Sequence, residues 1–135
     1  MYDRFMPSSS IPALSGLRAA VGVGAWATPN VSGRLFGLDP VNNPQASYLG
    51  RLFGARDLAL AAGTLTTEGE ARRRWIQLGL ACDLADAAAG YIAGRTGVLP
   101  KPAAIMVTGV ALIAAGLGAA ALASDGSEAP APIPA

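Results

Sequence analysis

Residues 102–123, PAAIMVTGVALIAAGLGAAALA, run for 22 positions without a charge, close to the roughly 20 residues an α-helix needs to cross about 30 Å of hydrocarbon. This stretch predicts a transmembrane helix, and 135 residues leave room for one small domain around it. Composition agrees: 52% of residues are hydrophobic, 14% are charged and the mean hydropathy is +0.40, on the membrane side of ordinary soluble chains.

Once one span is assigned, three earlier apolar runs at about residues 11–27, 46–66 and 74–94 become intelligible as spans too. Each is bounded by turn chemistry: TPNVSGRLFGLDPVNNPQ (residues 28–45) separates the first two, TEGEARRR (67–74) the second and third, and GVLPKP (97–102) the third and fourth. The expectation is an all-α polytopic membrane protein, a bundle of four transmembrane helices within residues 1–123, followed by a disordered Pro- and Ala-rich tail at 124–135. Trp26, Tyr48, Trp75 and Tyr91 fall near the span ends, where amphipathic rings favour the headgroup level. Arg4, Arg72, Arg73 and Arg74 on the side of the N-terminus outnumber Arg34, Arg95 and Lys101 on the other, which points to cytoplasmic N- and C-termini in the plasma membrane. A cleavable signal peptide is the competing reading of the first run, and Arg18 inside its apolar core argues against it.

Several functions are excluded early. Ten basic against nine acidic residues leave a net charge of +1, with no polybasic surface for nucleic acid. The chain has one cysteine, Cys82, and no histidine, so an internal disulfide is impossible and the common zinc and general-base arrangements lack their usual members. No phosphate-cradling loop, nucleophile motif or metal-ligand spacing is present, and no cofactor or metal is expected.

The chemistry lies in charges placed inside apolar runs. Residues spaced i, i+4, i+7 and i+11 share one helix face, and two runs use that spacing: Gly50, Gly54, Asp57 and Ala61 in the second, Gly79, Asp83, Asp86 and Gly90 in the third. Small residues admit close helix packing in a membrane, so these glycines and acids are expected to face protein. The segments ARDLALAAG (55–63) and ACDLADAAAG (81–90) share an Ala-x-Asp-Leu-Ala core, which raises internal duplication as an explanation. Within the spans Arg18, Arg51 and Arg56 balance Asp57, Asp83 and Asp86. Because an unpaired charge at the bilayer centre costs about 2.5–3.5 kcal/mol on insertion scales, mutual pairing is expected, with Arg56 set between Asp83 and Asp86. Such a cluster is either polar glue fixing helix register or a ligand, proton or ion site at Arg56, Asp57, Asp83 and Asp86, supported by Arg18 and Arg51. Asp86 is the preferred functional acid, since Asp57 has arginines beside it. Gly16, Gly22 and Gly24 in the first span and Gly109, Gly116 and Gly118 in the fourth read as close-packing or dimer positions. The run Arg72, Arg73 and Arg74 reads as a topology signal.

The stretch YLGRLFGARDLALAAG (48–63), where Gly-x-Arg-Asp enters a span, followed by the embedded acid of LACDLADAAAG (80–90), resembles a group of small four-helix integral membrane proteins frequent in actinobacteria, a family of uncharacterised function. The resemblance covers about residues 46–123 and implies the four-helix fold, without an activity. Three functions remain in view: a non-enzymatic accessory or assembly subunit, working as a homo-oligomer or in a larger membrane complex; a small oligomeric transporter or channel using Asp83 and Asp86; and an intramembrane enzyme or binder of an apolar small molecule such as a quinone or terpenoid.

Overall fold

In a computed structural model the described residues, 9–125, are all helical apart from their connections. Five helices are present: α1 (Ser10–Ala27), α2 (Pro29–Leu35), α3 (Gln45–Thr66), α4 (Gly69–Arg95) and α5 (Lys101–Asp125). The four long helices match the expected runs closely. The basic count at Arg4, and the expected tail beyond residue 125, lie outside the described residues.

Two differences have local causes. Residues 28–45, expected to be a loop, contain α2, because Pro29 presets helical φ at the first position. Gly37 ends it at φ +74, with its amide bonding the Arg34 carbonyl at 3.0 Å and that of Leu38 bonding the Gly33 carbonyl at 2.8 Å. This is the double hydrogen bond that a left-handed glycine permits at a helix end. Helix α4 begins five residues before the expected Arg74, since the Glu70–Arg74 pair at i, i+4 (3.5 Å) and an acid in the first turn both favour helix there. Arg72 and Arg73 carry more than a topology signal. The Nε of Arg72 donates to the Thr64 and Thr67 carbonyls at the end of α3, and Nη1 of Arg73 donates to the Leu122 carbonyl of α5.

The long helices pack antiparallel in a ring, α1 against α3, α3 against α4, α4 against α5 and α5 against α1, with no close backbone approach across the diagonals among the described residues. The ring is uneven. A Cβ on Gly54 would lie 2.6 Å from the Gly22 carbonyl oxygen and 2.9 Å from the Trp26 amide nitrogen, so α1 and α3 touch through their backbones. Helices α4 and α5 are similarly close where Gly90 faces Thr108 and Gly94 faces Ala104. Gly54→Val is therefore expected to wedge α1 from α3 and cost about 1–3 kcal/mol or more, checked by thermal unfolding of the purified variant.

At the end holding the α3–α4 turn, Ile11, Leu14, Ile76, Ala114 and Ala121 form a filled core with Leu17, Leu117 and Leu122 against it. The opposite end, where α2 and the α4–α5 connection lie, is open between the two helix pairs. Among the described residues one helix, α5, is long and apolar enough to cross a membrane, and only 28% of its most apolar window is buried. Outer faces of the other long helices are also apolar: Val23 on α1, Leu52 on α3, and Leu78 and Leu84 on α4 are all more than half exposed.

Candidate functional site

The spacing argument places the acids as expected. Gly54, Asp57 and Ala61 of α3, and Gly79, Asp83 and Gly90 of α4, are buried, while Gly50 and Asp86 are partly buried. Charge pairing across the ring then fixes three groups. Nη2 of Arg18 donates to Oδ2 of Asp83 at 2.5 Å, joining α1 to α4, and the two side chains are only 2% and 6% exposed. Nη1 and Nη2 of Arg56 grip both oxygens of Asp86 at 3.0 and 2.5 Å, joining α3 to α4. Nη2 of Arg56 also reaches Oδ1 of its neighbour Asp57 at 3.2 Å. The guanidinium carbon of Arg56 lies 4.4 Å from the centroid of the Phe53 ring, a cation–π contact that weakens the need for water on that face.

These partners differ from the expected ones. Arg56 joins Asp86 to Asp57, whereas Asp83 belongs to Arg18. Arg51 is not in the cluster: its Nε donates to the Trp26 carbonyl at 3.2 Å, at the open end of the bundle. Asp86, the preferred functional acid, is the best partnered of the three, and Asp57 is the least. Arg51 also changes the count of basic residues, because with Arg34, Arg95 and Lys101 it makes four at that end, equal to the four, Arg4, Arg72, Arg73 and Arg74, counted from the sequence on the other side. The basic residues no longer select a cytoplasmic side.

Gly79, expected only as a packing residue, has a sharper role. A Cβ there would collide with Cζ, Nη1 and Nη2 of Arg18, so the missing side chain is the seat of the guanidinium. Nε and Nη1 of Arg18, and Nε of Arg56, are buried without hydrogen-bond partners among the described residues.

Above the cluster, toward the open end, lies a cavity of about 480 Å³. Its floor contains Arg18, Asp57, Asp83 and Asp86, its walls include Leu17, Val21, Phe53 and Val110, and Ser32, Gly33 and Phe36 of the α2 region close over it. The roof is tied down where the Ser47 hydroxyl donates to Asn30 at 2.6 Å. The following loop is organised by Asp39, which accepts from the Asn42 side chain at 2.5 Å and from the Val41 and Asn42 amides at 3.1 Å. The Asn42 side chain foremost holds the Asp39 carboxyl below its ordinary range. Nothing in the sequence advertises the cavity, since it arises where two tightly paired sets of helices diverge. Among the described residues no group of three or more His, Cys, Asp or Glu is placed to hold a metal ion.

Compared with known proteins, the chain matches no family model, and no curated protein or solved structure is significantly similar to it.

Proposed function

We propose that α1, α3, α4 and α5 all cross a lipid bilayer and that the bundle binds an apolar small molecule between its two helix pairs. The observation that carries this reading is the cavity itself, apolar in its walls and charged in its floor, within a bundle whose outward faces are apolar. A volume of about 480 Å³ falls within the roughly 300–1,000 Å³ of small-molecule sites.

The distribution of side chains supports the membrane setting. Charges in the middle of α1, α3 and α4 turn inward, while leucines and valines at the same levels turn outward, the reverse of a water-soluble bundle. At 18 to 27 residues the four helices are about 27–40 Å long, with α1 near the short end and the others beyond the roughly 30 Å of hydrocarbon that a span of about 17–25 residues crosses. Trp26, Tyr48 and Tyr91 are exposed together at the cavity end, as at a headgroup boundary. Trp75 packs instead against Gly63 at the other end.

Extraction of the protein from membranes, followed by mass spectrometry of the organic-soluble fraction, tests ligand binding. An apolar molecule present near one per chain and absent from Val110→Trp, which fills the cavity, is the expected result. An empty wild-type chain contradicts the reading. An accessory-subunit role is the second reading, favoured by Gly109 and Gly116, whose surroundings on α5 are open and admit a neighbouring helix.

A further inference from the structure

Departure of Arg51 leaves two guanidiniums, Arg18 and Arg56, facing three carboxylates, Asp57, Asp83 and Asp86, a formal excess of one negative charge at the cavity floor. The unpaired groups are of two kinds. Both oxygens of Asp86 are bonded. Asp83 accepts only on Oδ2 and Asp57 only on Oδ1, so each keeps one oxygen without a donor among the described residues, and both line the cavity. Unpaired guanidinium nitrogens are buried instead, with the Arg18 head pressed against Gly79. An occupant therefore meets free acceptors and negative charge rather than free donors.

We propose that the cavity takes a lipophilic amine, with its protonated nitrogen between Asp57 and Asp83 and its apolar body against Leu17, Val21, Phe36 and Val110. This rests on the cavity being a ligand site. A single positive charge cancels the excess at the floor, where an uncompensated charge away from water is costly. A carboxylate head adds a second excess charge, and an alcohol supplies one donor without changing the charge.

Dodecylamine, dodecanol and laurate, three heads on similar chains, provide the test at pH 7 against the protein in lipid nanodiscs, with empty nanodiscs as the background. The expected result is dodecylamine binding at least about tenfold more tightly than the others, about 1.4 kcal/mol, with Asp57→Asn bringing amine and alcohol to near parity. Equal affinities, or a preference for laurate, would overturn the amine assignment and leave a ligand site of different chemistry. Binding of none of the three overturns the ligand site as well. Should Asp57→Asn fail to fold, Ala93→Phe fills the wall above the charges without touching them. It is expected to lose dodecylamine, and undiminished binding would place the amine elsewhere and overturn the proposal.

Discussion

Replacing Asp83 with Asn is expected to cost about 3–5 kcal/mol of stability, the usual penalty for removing one partner of a buried ion pair. The Arg18 side chain is only 2% exposed and bonds no other acceptor among the described residues, so its guanidinium would lose its one charged hydrogen-bond partner inside the bundle. Asp86→Asn is the informative control. Arg56 and Asp86 are 32% and 29% exposed, and Arg56 keeps Asp57 and the Phe53 ring. Its loss is expected to cost about 1 kcal/mol. Thermal unfolding and solubilised yield of the two variants check the contrast, and equal losses would show that the two pairs are equally sealed.

Gly79→Ala is expected to cost about 1–3 kcal/mol, because the added methyl group takes the space of the Arg18 guanidinium, which must shift at the end of its flexible side chain and loosen the ion pair with Asp83. Since both substitutions act on one interaction, their costs are not additive. In a double-mutant cycle Gly79→Ala is expected to cost less once Asp83 is Asn, with a coupling of about 0.5–3 kcal/mol. Additive costs would mean that Gly79 serves only helix packing.

The helices and the inward faces were legible in the sequence because their signals are local. An acid inside an apolar run, spaced by helical periodicity from glycines, can only be tolerated facing protein, and Asp57 and Asp83 occupy matching positions of the two Ala-x-Asp-Leu-Ala segments. Partner choice was not legible. Whether Arg18, Arg51 or Arg56 meets a given acid depends on the rotation and depth of one helix against another, set by close contacts such as Gly22–Gly54 and the Arg18–Gly79 seat. Arg51 counted toward balance in the sequence and left the cluster in space, and that departure creates the charge excess. Helix α2 was obscured by the prolines and asparagines around it, although Pro29 and Gly37 bracket it in the order helices favour. Among the described residues α5 alone reads as a span by hydropathy, because Arg18 in α1 and the several charges within α3 and α4 lower the hydropathy of those helices.

Crossing of the bilayer by all four long helices is tested most directly by single-cysteine labelling in intact membranes, with Cys82 replaced by Ala and a membrane-impermeant maleimide as probe. Cysteines at Asn42 and Val98 are predicted to be reached from one face of the membrane and a cysteine at Glu68 only from the other. Cysteines at Leu52, Leu78 and Ile113, all exposed on the bundle, are predicted to stay unlabelled until detergent is added. Free labelling of Leu52 and Leu78 in intact membranes would place α3 and α4 in water and contradict the four-span account.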